Sequence, residues 1–301
     1  MIEFKKLDPI NKAAYDEYLL NCEQRGCEYN FANLYLWGRQ KAAFLDDSLV
    51  FFSQFNQKSV YLFPLCRGDL KKTLDAIIHD ARTRGIPCRL TSLTHDDCDK
   101  LEALYPGQFR IHHDRNTFDY IYAIEDLATL KGKKFQKKRN HLNRFKLQHP
   151  NYQLAPITDE NTPAIKELLD RWYANRLEAD PTADFQMEQA AIYRALRHRE
   201  ELGMEGLVLS DNDQLLAMPL GSPLSQNAFD VQFEKAIDES AYVAMCSSFA
   251  GHLMQKYPNL RYLNREDDLG IEGLRKSKLA YNPVTLIEKH WACLKEDGCE
   301  Y

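Results

Sequence analysis

One segment of the chain, residues 131–146, concentrates positive charge. Eight of its sixteen residues are Lys or Arg and none is acidic, whereas the whole 301-residue chain carries a formal net charge of −5. A cationic segment on an acidic protein creates a local field that attracts anions such as phosphate groups. The residue types therefore indicate binding of a polyanion, with an ordinary solvated basic helix as the alternative.

Helical spacing separates this segment into two faces. At about 100° per residue, Phe135 and Leu142 fall on one line, with Phe145 at its edge. The opposite line carries Lys133, Lys137, Asn140 and Arg144. The spacing predicts an amphipathic helix that packs through its apolar side and presents its cations outward.

A second segment, residues 262–281, has residue types that could bind a ligand or take part in a reaction. It combines acids, glycines and cations. Asn264 and three consecutive acids stand where a strand is predicted to end, and Gly270 and Gly273 open a short helix with Arg275 and Lys278. Ligands of open α/β sheets bind at such strand ends. The three acids, Glu266, Asp267 and Asp268, repel one another, which favours a cation, an amine or a proton near them. Helix capping by the two aspartates is the alternative.

The predicted strand 227–233 offers a proton acceptor. Alternation places Phe229, Val231 and Phe233 on one face and Asp230, Gln232 and Glu234 on the other. A carboxylate at the end of a central strand can take a proton from an attacking amine or hydroxyl. Glu234 is the first candidate and Asp230 the second, and an ordinary polar strand position is the alternative for both.

The elements that position these residues follow the same order in both halves of the chain. Each half is predicted as strand, helix, helix, three strands, helix, strand, helix, strand. This order is that of the Gcn5-related N-acetyltransferase (GNAT) fold. The sequence therefore predicts an α/β protein with mixed sheets and two tandem GNAT-like domains, 1–128 and 129–301, the second starting with the basic helix.

The composition of the chain bears on whether it is a membrane, secreted, disulfide-bonded or metal-binding protein. No apolar run approaches the roughly 20 residues of a membrane span, and the N-terminal residues lack the apolar core of a signal peptide, which predicts a cytoplasmic protein. The eight cysteines show no C-x-x-C spacing and no histidine pair complements them. We therefore expect reduced thiols, no disulfide and no metal site.

Two motifs resemble a bacterial family related to the C-terminal catalytic domain of phosphatidylglycerol lysyltransferase. They are Lys133-x-x-x-Lys137-Lys138-Arg139-Asn140 and Asn264-x-Glu266-Asp267-x-x-Gly270-x-x-Gly273-Leu274-Arg275-x-x-Lys278. The resemblance implies tandem acetyltransferase-like domains, as in the Fem-type peptidoglycan aminoacyltransferases, and an aminoacyl group moved from a charged tRNA to a lipid hydroxyl or a peptidoglycan amine. By this resemblance, nine residues fall in the family's motifs: Lys133, Lys137, Arg139, Asn140, Asn264, Glu266, Asp268, Arg275 and Lys278. Lys138, within the first motif, is a further candidate for binding the anion.

Two departures from the family shape the functional prediction. The lysyltransferase proper has a multi-pass membrane domain that this chain lacks, which favours a soluble acceptor. GNAT enzymes hold acetyl-CoA pyrophosphate on a glycine-rich loop before a helix, but here the loop 234–242 has no glycine and carries Asp238 and Glu239. The corresponding loop of the first half, residues 64–70, is more permissive.

The sequence therefore predicts an acyl or aminoacyl transferase with aminoacyl-tRNA or acyl-CoA as its donor substrate and no certain cofactor. Its acceptor is a small-molecule, lipid or peptide amine or hydroxyl. The acids Glu234, Glu266, Asp268 and Asp230 are the candidates for proton transfer, and Asn264 for stabilising the oxyanion. A non-catalytic GNAT-like binder of RNA or an anionic metabolite is the alternative.

Overall fold

A computed structural model describes residues 1–22, 26–55, 58–182, 184–212 and 214–298, and the elements below are those of these residues. The chain divides into two compact units. The first comprises 1–119, 267–272 and 286–301, and the second comprises 120–266 and 273–285.

The described residues form two mixed sheets with helices, which confirms the predicted α/β class. The strands are β1 (Lys5–Lys6), β2 (Gln40–Leu45), β3 (Ser48–Phe55), β4 (Lys58–Leu62), β5 (Leu65–Cys66), β6 (Arg89–Leu93), β7 (Phe109–His113), β8 (Asp119–Ala123), β9 (Gln153–Pro156), β10 (Glu205–Asp211), β11 (Gln214–Pro223), β12 (Ala228–Ala236), β13 (Tyr262–Asn264), β14 (Thr285–Ile287) and β15 (His290–Leu294). The helices are α1 (Lys12–Leu19), α2 (Phe31–Leu36), α3 (Leu70–Arg84), α4 (His95–Leu104), α5 (Ile124–Thr129), α6 (Gln136–Gln148), α7 (Thr162–Ala179), α8 (Gln186–His198), α9 (Glu239–Lys256) and α10 (Glu272–Leu279).

The sheet of the first unit has the order β1-β2-β3-β4-β6-β15-β7, and β5 pairs with β3. Its β4–β6 pair is parallel. Helices α3 and α4 bury their apolar sides on this sheet, with Leu74 and Ile77 of α3 and Leu101 of α4 in one core. Gly85 caps the end of helix α3 with a φ of +67°, a left-handed conformation that glycine adopts more readily than residues with a Cβ.

The sheet of the second unit has the order β8-β13-β12-β11-β10-β9, and β14 adjoins β8 where the chain leaves the unit. Strands β9 to β12 form an antiparallel meander, whereas β12 and β13 are parallel. The apolar helix α9 supplies much of the core through residues such as Phe249 and Leu253. This arrangement places the ends of β12 and β13 beside the start of α9.

The C-terminal segment differs from the sequence-based domain division. A single strand is predicted over 283–292 as the last strand of the second domain. The structure instead has β14 and β15, and β15 pairs antiparallel with β6 and β7 of the first unit. The predicted boundary near residue 128 also falls inside α5. Local periodicity identifies a strand but not its partner, because strand pairing is a long-range property.

Two features of composition can be compared with the structure. Six cysteines of the described chain are free, but Cys293 is disulfide-bonded, so the prediction of no disulfide is wrong. Among the described residues, no helix has both the length and the apolar character needed to cross a membrane.

Candidate functional site

The basic helix forms with the predicted faces. A 3₁₀ turn at Lys133–Phe135 leads into α6, where Phe135 and Phe145 are buried. The opposite side carries exposed Lys133, Lys137, Asn140 and Arg144. The ion pairs found among the described residues include none to Lys133, Lys137 or Arg144. Their charges therefore face solvent and can meet an anion.

Arg139 holds the turn that begins the helix. Its Nη1 donates to the carbonyl oxygens of Leu130 and Gly132, the latter at 2.6 Å, and its Nη2 donates to Gln136 Oε1 at 2.6 Å. Gly132 has a φ of +88°, and a guanidinium bound to its carbonyl fixes this conformation. The donors of Arg139 thus stabilise the backbone that presents the basic face.

Lys138 points inward, away from the exposed face. Its Nζ lies 4.1 Å from the centre of the Tyr281 ring and 3.9 Å from Glu239 Oε1. Burial lowers the pKa of Lys138, and the nearby Glu239 carboxylate opposes this effect. Lys138 therefore connects α6 to the interior of the second unit.

Behind Tyr281 lies a buried polar group, which we call the Arg265 centre: Arg265, Glu234, Tyr242, Cys246 and Tyr281. Arg265 Nε and Nη2 lie 3.0 and 2.8 Å from Glu234 Oε2, to which the Tyr242 hydroxyl also donates at 2.9 Å. The Cys246 thiol lies 3.3 Å from Glu234 Oε1, and the Tyr281 ring lies 4.7 Å from Arg265 Cζ. Both carboxylate oxygens of Glu234 accept hydrogen bonds.

The Arg265 centre contains one ion pair, between Arg265 and Glu234, surrounded by uncharged side chains. Burial alone would lower the pKa of Arg265, but attraction to the Glu234 carboxylate outweighs it and raises the pKa. Burial raises the pKa of both the Cys246 thiol and the Tyr242 hydroxyl. Burial therefore favours the neutral thiol of Cys246 over the thiolate, which is the nucleophilic form.

The end of β13 holds Glu266 by its backbone. Its N–H donates to Asn264 Oδ1 at 2.7 Å, and its carbonyl accepts from Tyr120 N–H at 3.1 Å and from Lys278 Nζ at 3.1 Å. Glu266 has a φ of +55°, which is uncommon for a residue other than glycine and is associated with functional positions. Its side chain is half-buried, and these hydrogen bonds hold its backbone at the end of β13.

The remaining predicted site residues lie in different surroundings. Asp230 is fully buried on β12, in register with Asn264 on β13. Arg275 is half-buried on α10. Asp268 belongs to the first unit, where its Oδ2 lies 3.5 Å from Arg115 Nη1 and its Oδ1 accepts from Gly270 N–H. The structure thus groups Glu234, Asn264, Glu266, Lys138 and Lys278 in the second unit without Asp268.

The start of α9 is capped by a carboxylate of the chain itself. Asp238 Oδ1 accepts from Ala241 N–H at 2.9 Å and from the Ser240 hydroxyl at 2.7 Å. Glu239 in the first helical turn faces His141 and Lys138 of α6. Asp238 therefore satisfies a backbone N–H at the start of α9, and both acids place negative charge at this helix end.

Replacing this cap should lower stability measurably. We expect Asp238→Ala to cost about 1 kcal/mol at neutral pH and Asp238→Asn less, because asparagine retains an accepting oxygen. Burial raises the pKa of Asp238, but its hydrogen bonds prevail and lower it, so the charge stabilises the fold above the unfolded pKa. This contribution disappears as the pH falls through the folded pKa. Urea denaturation at several pH values measures the effect, and an Asp238→Ala cost that persists at acid pH would contradict it.

The corresponding loop of the first unit, residues 64–70, also carries a carboxylate that caps the following helix. Asp69 caps α3 by accepting from Lys72 N–H at 3.0 Å. The guanidinium of Arg67 lies 4.1 Å from the centre of the Tyr18 ring. The sequence indicates that this loop is the more favourable of the two for binding pyrophosphate, but it too has a carboxylate at its helix end.

A buried cation stabilises another part of the first unit. Lys289 Nζ lies 2.7 Å from Asp119 Oδ1 and 2.6 Å from Glu28 Oε1. Burial alone would lower the pKa of Lys289, but Asp119, Cys27 and Glu28 raise it. Cys27, Glu28 and Asp119 could together ligate a metal, but the Lys289 ammonium already supplies the positive charge there.

Near Glu28, a cavity of about 470 Å³ opens in the first unit. Trp37, Trp291, Arg39 and Lys58 contribute to its walls. Aromatic walls with a few polar groups are typical of small-molecule sites. Sequence patterns give no sign of this cavity, because its walls come from distant strands and loops.

Sequence reasoning also missed four of the five members of the Arg265 centre as site residues: Arg265, Tyr242, Cys246 and Tyr281. Arg265 stands between Asn264 and three acids, where it resembles a surface residue. Its partner Glu234 is on another strand, so only the parallel pairing of β12 and β13 brings them together. The one local signal is the two-residue step from buried Leu263 to Arg265, which places both on the same strand face.

Comparison with known proteins defines the class. The fold is similar to a tandem GNAT protein from the clavulanic acid biosynthesis pathway, with a TM-score of 0.50 and 9% identity over 97% of this chain and 98% of that one. It is also similar to L-PGS from Bacillus licheniformis, with a TM-score of 0.67 and 18% identity over 97% and 93%. Together these likenesses confirm the tandem GNAT-like fold.

The family follows from the sequence itself. Residues 21–293 match the family described as "Phosphatidylglycerol lysyltransferase, C-terminal", and the chain belongs to that family. It is therefore related to GNAT-like acyltransferases. A conserved protein of unknown function from Bacteroides thetaiotaomicron VPI-5482 is 37% identical, with a TM-score of 0.92 over 98% of this chain and 100% of that one.

A curated relative is larger than the region of similarity. An uncharacterised protein of Mycoplasmoides gallisepticum is 28% identical over 183 residues, which is 60% of this chain and 57% of that protein. The match thus spans little more than half of that relative's length.

Proposed function

We propose that this protein transfers an aminoacyl group from aminoacyl-tRNA to an amine or hydroxyl acceptor. The observation that carries the proposal is the exposed basic face of the 3₁₀ turn Lys133–Phe135 and of α6, where Lys133, Lys137 and Arg144 have no ion pair among the described residues. The same helix sends Lys138 to Tyr281 of the Arg265 centre. A polyanion bound to the exposed face of α6 would thus lie on the same helix whose Lys138 contacts the Arg265 centre.

The helix ends argue against acyl-CoA as the donor. Asp238 caps α9 and Asp69 caps α3, each accepting from a backbone N–H of its own helix. A CoA pyrophosphate at either end would have to displace a carboxylate that carries the same sign of charge. A tRNA donor needs neither helix end, because its phosphates can bind exposed lysines and arginines.

Glu266 is the stronger candidate for proton transfer in this proposal. The nucleophile's nitrogen or oxygen forms a bond to the acyl carbon, its proton passes to the carboxylate, and the ester bond to the tRNA oxygen breaks. The leaving oxygen then takes a proton. Glu266 is half-buried and directly follows Arg265 at the end of β13, with its backbone held by hydrogen bonds. Glu234 Oε2 accepts hydrogen bonds from Arg265 and Tyr242. We assign Glu234 to holding Arg265.

A donor screen tests the proposal. The full chain is heated with aminoacyl-tRNA, the same tRNA after deacylation, or acetyl-CoA, and its midpoint of unfolding is compared with the protein alone. A ligand at 100 times its Kd stabilises the folded state by about 2.7 kcal/mol, which shifts the midpoint by several degrees. We expect stabilisation by both RNAs, larger for the charged form. Stabilisation by acetyl-CoA without any effect of tRNA would overturn the proposal.

A non-catalytic binder of RNA is the second candidate, and the engagement of both Glu234 oxygens favours it. Glu266→Gln removes the proton acceptor while retaining the shape of the side chain. If the protein is a transferase, this variant should bind charged tRNA normally and lose transfer to an added amine or hydroxyl acceptor. If the protein is only a binder, neither the unmodified chain nor the Glu266→Gln variant should release the amino acid from tRNA faster than uncatalysed hydrolysis in buffer does.

A further inference from the structure

Four side chains of the first unit converge from three elements that are distant in sequence. His95 begins α4, His113 ends β7, and Glu288 and His290 flank the start of β15. The pairing of β15 with β7 sets His290 opposite His113. Topology therefore brings three histidines and one carboxylate together.

The contacts within this group are close. His95 Nε2 lies 2.8 Å from Glu288 Oε2, and His113 Nδ1 lies 2.7 Å from His290 Nδ1. The ring of His290 lies 4.5 Å from that of His95 and 4.3 Å from that of His113, measured between ring centres. One ligand atom from each of His95, Glu288 and His290 lies within 4.8 Å of the other two. Modest movements of the exposed His95 and Glu288 side chains would bring all three around one ion.

His290 provides a second, independent indication of a ligand. It is fully buried, and its Nε2 has no hydrogen-bond partner among the described residues. A buried polar atom without a partner is destabilising, so its presence requires an explanation. The other ring nitrogen of His290 meets His113, and metal-binding histidines use that arrangement to fix their orientation. In the tautomer whose Nδ1–H donates to His113, the unpartnered Nε2 carries the lone pair that a metal ligand needs.

We propose that His95, Glu288 and His290 bind a divalent transition metal of the Zn²⁺ type. Two imidazoles and one carboxylate form a borderline donor set that suits Zn²⁺, and three protein ligands leave a position for water or another ligand. His113 positions His290 from behind. The site departs from the sequence prediction of no metal, because its ligands share no local spacing. It is independent of the transferase proposal, whose residues lie in the second unit.

Metal titration of the tag-free full chain tests the site. Protein stripped with a chelator is titrated with ZnCl₂ by calorimetry and with CoCl₂ by visible absorption, which reports tetrahedral coordination. We expect one saturable binding step for Zn²⁺ and visible bands for Co²⁺. His95→Ala and Glu288→Gln change exposed side chains, so both variants should fold, and each should weaken Zn²⁺ binding by at least about tenfold.

His79→Ala is the matched control, since it removes an exposed histidine from α3 of the same unit. Its affinity for Zn²⁺ should equal that of the unmodified chain. The proposal is overturned if the unmodified chain shows no saturable step, or if either ligand variant binds as tightly as the control.

Discussion

Arg265→Met should lower the free energy of unfolding by about 3 kcal/mol, because it leaves the Glu234 carboxylate without its cation. Only 2% of the Arg265 side chain and 15% of the Glu234 side chain are exposed, so water can replace little of the lost interaction. Methionine preserves most of the volume and therefore separates loss of charge from loss of packing. Urea denaturation followed by circular dichroism measures the change.

The double variant Arg265→Met with Glu234→Gln distinguishes pairing from simple burial. Removing both charges eliminates the unpaired carboxylate, so the double variant should be more stable than Arg265→Met alone. Lys72→Met provides the surface comparison, since it breaks an ion pair with Asp46 in which more than 70% of both side chains is exposed. No measurable change is expected there. Equal losses from Lys72→Met and Arg265→Met would contradict a special contribution from the buried pair.

Local sequence patterns were sufficient to predict the basic helix. The helical spacing of Phe135 and Phe145 identified the buried side of α6, and both residues are buried in the structure. The opposite spacing identified the exposed cations. A helix contains its own hydrogen bonds, so its two faces follow from one short stretch of sequence. Lys138 is the exception, because its Nζ is accommodated by Tyr281 from a distant segment.

The pairing of strands could not be predicted in this way. The pattern of residues 283–292 indicates extended structure, but it does not indicate that β15 pairs with β6 and β7 of the first unit. That pairing has two structural consequences. It buries His290 beside His113, and it places Lys289 against Asp119 and Glu28. Both groups depend on contacts between distant segments, so neither gives a motif in the sequence.

The same reason explains the incomplete prediction of the candidate site. Glu234 was predicted as a proton acceptor from its place on β12, and only the structure shows its ion pair with Arg265. Glu266 was identified from the acidic run, but its left-handed backbone is not visible in the sequence. The residue types at a strand end indicated polar chemistry, and the structure adds the buried ion pair that engages Glu234. The assignment of Glu266 to proton transfer is our proposal.

Reversing two charges, one in the 3₁₀ turn before α6 and one on α6, should remove most RNA binding. Lys133→Glu with Lys137→Glu replaces two exposed cations by anions, so each position changes from attracting a phosphate to repelling it. We expect affinity for tRNA to fall by more than about a hundredfold at low salt. The slope of log K against log salt concentration should also decrease by about 2, since roughly one counterion is released per phosphate contact. Filter binding or fluorescence anisotropy over a range of salt concentrations measures both quantities.

A control with the same change in net charge decides whether position matters. Lys5→Glu with Lys6→Glu alters two exposed lysines of β1, in the first unit, by the same total charge. If RNA meets the basic face of α6, this control should retain its affinity apart from a small effect of overall charge. Equal weakening in both variants would mean that RNA responds only to net charge. The exposed cations of α6 would then have no specific role, and the aminoacyl-tRNA donor would lose its main structural support.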